Sequence, residues 1–289
     1  LITICSLHMH GQRSMRFNYP DQQLQEAMQC MDRHQYQQAH LLLQNYLQPQ
    51  QAASFSRDDV NRQKADYLYH LCALKMGKAD ADDQLKTFIK QTPFLSLQQL
   101  AAFELGHYYY ERQHFDAAIR YYEQCSIDFL SNEQLTRRNF ELGYAYLVSQ
   151  QLDKVDQYFK TASNIPGEYA KPGTYYHGLL AYYKKNYAEA RKSFEAIKDE
   201  DRYKQIVPFY LTEIDYLSGK KQEALQAALD YLKAPERLYY YHELNQMIAQ
   251  IYCEKDSFAK AEPFYAAFIA QAPAVRPVDY FKLGYCQYQ

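Results

Sequence analysis

The chain has 289 residues, a formal net charge of -2 and a sequence pI near 6.5. Charged residues make up 23% and form no basic stripe, which argues against a nucleic-acid partner. No apolar run is long enough to span a bilayer as a helix, and the nine glycines are too dispersed for a phosphate-binding loop.

Residues 1–12, LITICSLHMHGQ, run from apolar to polar and read as the tail of a signal peptide whose positive leader would precede residue 1. Cys5 follows Ile2-Thr3-Ile4 and lacks the small neighbours a lipid-attachment site needs. His8 and His10 have no ligand partner nearby, so no metal site is expected. Residues 13–22 read as a short lead-in.

From residue 23 to residue 289 the chain repeats itself. Residues 103–125 read FELGHYYYERQHFDAAIRYYEQC, and residues 140–162 read FELGYAYLVSQQLDKVDQYFKTA. Both carry a glycine, a tyrosine three residues later and an aromatic sixteen later. Residues 178–194, GLLAYYKKNYAEARKSF, keep the glycine and the final aromatic. In chain order, Ala39, Ala81, Ala118, Val155, Ala190, Ala224 and Ala261 open a second apolar helix, at spacings of 42, 37, 37, 35, 34 and 37. Most are preceded by twelve residues by another small residue: Ala27, Gly106, Gly143, Gly178, Thr212 and Ala249. Most are followed after four by a large one: Leu43, Leu85, Tyr122, Phe159, Phe194 and Tyr265.

A period of 34–37 residues marks an array of helical hairpins. Small residues twelve apart let the two backbones of a hairpin approach, and large residues at i+4 fill the groove beside them. Gly77 and Gly219 fall at the hairpin turns. The unit around Tyr69 and Ala81 fits least well, and Ala228 stands where an aromatic is expected in the unit of Thr212. The long spacing of 42 reflects a loop from Gln48 to Asp59. Pro263 falls inside a second helix and predicts a kink or a late start. The last residues, DYFKLGYCQYQ, restart the repeat at Leu283-Gly284. With Leu1 in place of Met, this predicts that the sequence is a piece of a longer chain, with seven hairpins and the first helix of an eighth.

The cysteines after Cys5 are Cys30, Cys72, Cys125, Cys253 and Cys286. They are far apart, form no Cys-x-x-Cys pair and read as buried thiols. There is no His-Glu-x-x-His helix and no Gly-x-Ser-x-Gly elbow, so no catalytic residue, cofactor or metal is expected.

These units resemble the tetratricopeptide repeat, a helix–turn–helix of about 34 residues. The closing proline of that repeat stands at Pro93 and Pro273, and one residue displaced at Pro166 and Pro235. Its opening tryptophan is missing throughout, since the chain has no Trp. The resemblance implies an all-α fold, a right-handed α-α superhelix of antiparallel hairpins, whose first helices line a concave groove. The stretches RSMRFNYPDQQLQEAMQCMDRHQYQQAHLLLQNYL and IVPFYLTEIDYLSGKKQEAL make the chain similar to long tetratricopeptide proteins of Bacteroidota cell envelopes. That similarity implies export to the periplasm or envelope.

Where the 31 tyrosines point then decides the functional reading. Tyr109, Tyr146 and Tyr252 should pack inside their hairpins. Tyr110, Tyr144, Tyr175, Tyr182 and Tyr216 fall at first-helix positions that face the groove, and they are the candidate anchors for a protein or peptide partner. The opposing expectation is that tight stacking buries this stripe between neighbouring repeats. The first reading is a non-enzymatic scaffold. The alternatives are a recognition arm of a larger enzyme or signalling protein, and an outer-membrane assembly factor.

Overall fold

The computed structural model describes residues 20–48, 60–233 and 239–289. The expected signal peptide, Cys5, His8, His10 and Pro235 lie outside the described residues. The described residues hold fifteen α-helices and no strand, so the fold class is all-α, as the repeat predicts.

The chain divides at Leu130–Ser131 into two compact units. The first contains α1 (Pro20–Asp32), α2 (Tyr36–Tyr46), α3 (Val60–Lys75), α4 (Ala81–Gln91), α5 (Leu95–Glu111) and α6 (Phe115–Gln124). The second contains α7 (Asn132–Val148), α8 (Leu152–Asn164), α9 (Ala170–Tyr183), α10 (Tyr187–Glu195), α11 (Val207–Leu217), α12 (Lys221–Leu232), α13 (Tyr241–Cys253), α14 (Phe258–Gln271) and α15 (Pro277–Tyr288). Consecutive helices pair as hairpins, from α1 with α2 to α13 with α14, and α15 packs on α14. Helix α1 starts at Pro20, inside the stretch read as lead-in.

One backbone device closes every hairpin. At the end of α5, the Gln113 amide donates to the Tyr110 carbonyl and the His114 amide to the Tyr109 carbonyl, both at 2.9 Å. This is the Schellman arrangement, which needs a left-handed residue just past the helix. Glycine takes that place at Gly77 and Gly219, while His34, Gln113, Gln150, Lys185 and Asp256 adopt it at φ between 52° and 60° without being glycine. The sequence therefore shows only two of the seven turns through glycine.

The small residues do more than let backbones approach. A Cβ on Gly106 would stand 2.6–2.8 Å from the ring of Tyr122. On Gly178 it would meet the Phe194 ring from 2.9 Å, and on Gly143 the Phe159 ring at 3.2 Å. The aromatic sixteen residues on lies flat in the hole the glycine leaves. Tyr122, Phe159 and Phe194 are fully buried there. Tyr109, Tyr146 and Tyr252 pack inside their hairpins as expected, stacking on Tyr121, Tyr158 and Phe264.

Two expectations need correction. The α3–α4 hairpin does not use Tyr69, Ala81 and Leu85 in the common register. Its connection runs over residues 76–80, two longer than connections such as 112–114 or 184–186. Ala81 thus starts α4 instead of standing one turn in. Phe88 takes the place of the large residue, with its ring 6.0 Å from Tyr67 and 6.1 Å from His70. The longer turn explains why this unit matched least well. Of the kink or late start expected at Pro263, the late start does not occur: α14 begins at Phe258 and carries the proline inside.

Candidate protein-binding surface

The site is built from the contacts between successive repeats of the second unit. In α9 and α11, the residue two before the small position reaches back to the preceding hairpin. Tyr176 of α9 stacks on Phe159 of α8, with centroids 5.0 Å apart and planes 18° apart. Tyr210 of α11 stacks on Phe194 of α10 at 5.2 Å, also at 18°. Phe159 and Phe194 are therefore each clamped between the glycine of their own hairpin and the next repeat's tyrosine. At α15 the same place holds Lys282, whose ammonium stands 6.0 Å over the Tyr265 ring.

Around these clamps lie the residues picked out in the sequence. Tyr144 sits edge-on to Tyr176 at 5.7 Å. Tyr175 stacks on Tyr203 at 5.0 Å. Tyr182 sits edge-on to Tyr210 at 5.3 Å, and its hydroxyl donates to the Glu213 carboxylate. Tyr144, Tyr175 and Tyr182 thus belong to one aromatic cluster, joined through Tyr176 and Tyr210. Tyr216 stands apart from these clamps and donates to Glu254 Oε1 at 2.9 Å, while Lys221 meets the other Glu254 oxygen at 2.8 Å. Tyr110 belongs to the first unit, edge-on to Phe115 at 6.0 Å. All five are half-buried.

Electrostatics favour the neutral form of the Tyr175, Tyr182 and Tyr216 hydroxyls. Burial pushes the Tyr175 and Tyr216 hydroxyls up to about 12, helped at Tyr216 by the Glu254 carboxylate. Burial also raises Tyr182, with Glu213 adding to it, and Tyr210, with Tyr240 adding to it. Burial raises Glu213 itself above the usual carboxylate range, while the Tyr182 hydroxyl acts the other way. Tyr182 and Tyr216 are therefore protonated donors, each already engaged with a carboxylate.

Sequence reasoning missed Tyr176, Tyr210 and Tyr240, which organise the cluster. Tyr210 and Tyr240 exchange a hydroxyl hydrogen bond at 2.9 Å, and Tyr240 stacks on Phe209 at 4.3 Å. The available signal was the aromatic doublet before the small residue, Tyr175-Tyr176 and Phe209-Tyr210. Its second member is the inter-repeat clamp.

A second feature lies at the end of this unit. A cleft of about 350 Å³ opens between α13, α14 and α15, lined by Cys253, Phe258, Tyr265, Phe281 and Tyr285 among others. In the repeat of Gly178 the corresponding positions hold Tyr182 and Tyr210, edge-on to each other. Here the same register holds Cys253 and Lys282, and both line the cleft. Among the described residues no cluster of three or more His, Cys, Asp or Glu side chains is placed to hold a metal ion. No helix among them is long and apolar enough to cross a membrane.

No protein-family model matches the chain, and comparison with curated proteins finds no match. Solved structures do match. The chain is similar to the Naa15/Naa10 complex bound to HypK, with a TM-score of 0.57 at 12% identity over 93% of this chain and 39% of that one. The apo form of RapI gives a TM-score of 0.54 at 14% identity, over 91% of this chain and 79% of that one. YrrB, described as a TPR protein with an unusual peptide-binding site, gives 0.53 at 12% identity, over 71% of this chain and 98% of that one. At such identities the likeness is one of fold. With the hairpin register and the glycine–aromatic packing, it establishes a tetratricopeptide-like fold.

Proposed function

We propose that the chain is a non-enzymatic scaffold that binds a protein or peptide in the bacterial cell envelope through the tyrosine surface of its second unit. The observation that carries this reading is the state of Tyr144, Tyr175 and Tyr182. Their rings are held by stacked or edge-on neighbours, yet each residue stays partly exposed. An anchor already fixed in one rotamer loses little entropy on binding, and tyrosine offers apolar area with a polar tip. The peptide-binding site named for YrrB gives a precedent on the same fold.

The test uses a partner captured from envelope extract and then purified. Tyr144→Ala, Tyr182→Ala and Tyr216→Ala are measured for thermal unfolding and for affinity. Loss of about 2 kcal/mol in binding, roughly 30-fold in Kd, with folding retained, is the expected result for at least one of them. Variants that unfold as readily as a core truncation would show the cluster to be packing alone. Variants that stay folded and bind normally would move the site elsewhere. Tyr110→Ala, in the first unit, reports separately on whether that unit contributes.

The envelope assignment rests on residues 1–12 and has its own check. Mass spectrometry of the native protein is expected to find a mature N-terminus near Gln12. Retention of the apolar run would overturn export.

A further inference from the structure

Two thiols at the end of the second unit are in contact. Cys253 is the last residue of α13, and Cys286 lies near the end of α15. Their sulfurs are 3.3 Å apart. A disulfide bond is about 2.0 Å long, so closure asks for an approach of about 1 Å. Rotation about the two Cα–Cβ bonds supplies movement of that order. Cys125, by contrast, donates its thiol to the Gln99 carbonyl.

The surroundings give the two sulfurs different access. Cys253 is half-buried and lines the open cleft beside Phe258, Phe281 and Tyr285. Cys286 is only 4% exposed, and burial with the neighbouring Cys253 thiol pushes its own thiol up to about 12. A small reagent in the cleft meets Cys253 first. The start of α15 is meanwhile held on α13, because Gln246 donates to Asp279 at 3.0 Å. The two sulfurs therefore sit on helices that already share one hydrogen bond.

We propose that Cys253 and Cys286 are a reversible redox pair, oxidised by a low-molecular-weight disulfide that enters the cleft, and that the bond formed locks α15 to α13. The Cys253 thiolate attacks one sulfur of the oxidant. The oxidant's S–S bond breaks, its first half leaves as a thiolate, and a mixed disulfide remains on Cys253. Cys286 then loses its proton and attacks the Cys253 sulfur, expelling the second half. The protein loses two protons and two electrons, and the oxidant is reduced to two thiols. The raised Cys286 thiol makes this second step the slow one. Once closed, the bond pins the helix that carries Val278, Phe281, Tyr285 and Tyr288, all exposed.

The test treats the full chain with oxidised glutathione, blocks the remaining thiols and maps the peptides. The expected product joins Cys253 to Cys286. It should melt several degrees higher than the reduced chain, and a thiol reductant should reverse the shift. In Cys286→Ser the glutathione adduct should stay on Cys253, because the resolving thiol is gone. In Cys253→Ser, Cys286 should remain unmodified. The wild-type map alone decides the matter if either variant misfolds. Both thiols left free, glutathione accumulating on wild-type Cys253 without the joined peptide, or either cysteine paired elsewhere would each overturn the proposal.

Discussion

Phe159→Ala is expected to lower the stability of the second unit by about 3–5 kcal/mol, read as a drop in the denaturant midpoint. The side chain is fully buried. One side of its ring lies in the hole left by Gly143, and Tyr176 of the next repeat stacks on the ring at 5.0 Å. Truncation removes the transfer energy of the ring and leaves a cavity between two helices that glycine has already brought close. Neither wall can collapse into it easily. Phe194→Ala should behave alike, since Gly178 and Tyr210 clamp that ring in the same way. Because repeats contact chiefly their neighbours, the loss should be local and should broaden the transition as well as shift it. A fall below about 1 kcal/mol would contradict the clamp as the source of stability.

Substituting the helical glycines by alanine should give effects of opposite sign along one chain. In an open helix, alanine gains about 1 kcal/mol over glycine. At Gly106 the new methyl would lie 2.6–2.8 Å from three atoms of the fully buried Tyr122 ring, which has no free end to move aside. Overpacking of this kind costs about 1–3 kcal/mol, so Gly106→Ala should destabilise. Gly178→Ala, with its nearest ring atom at 2.9 Å, should be next, and Gly143→Ala, at 3.2 Å, milder. Gly284 has nothing within 4 Å, so Gly284→Ala should stabilise by up to about 1 kcal/mol. Unfolding of the four variants against the parent checks the order. Equal effects at Gly106 and Gly284 would mean that the glycines serve no packing role.

The architecture was legible because its determinants are sequence-local. A glycine and an aromatic sixteen residues apart imply a hairpin without knowledge of any neighbour. The α3–α4 unit escaped the register because a turn two residues longer displaces every second-helix position, and nothing in its composition announces the insertion. Five of the seven turns were hidden because the left-handed conformation is imposed by two backbone hydrogen bonds, and residues such as Gln113 and Lys185 accept it. The aromatic cluster was only partly legible. Tyr144, Tyr175 and Tyr182 were found from their spacing, but spacing does not distinguish a side chain that faces solvent from one that leans on the next repeat. Tyr176 and Tyr210 went unnoticed for that reason. The Cys253–Cys286 contact joins residues in different repeats, and a scattered cysteine pattern carries no trace of it.

The stacked rings at repeat boundaries give the protein a built-in optical reporter. With no tryptophan in the chain, near-ultraviolet ellipticity arises mainly from tyrosine, with phenylalanine adding little. The Phe159–Tyr176 and Phe194–Tyr210 pairs span adjacent hairpins, so their fixed geometry depends on repeats staying docked. Helical far-ultraviolet signal, in contrast, survives as long as single hairpins persist. Separation of neighbouring repeats should therefore dim the aromatic band before the helices melt, and the gap between the two signals measures how tightly one repeat is fastened to the next.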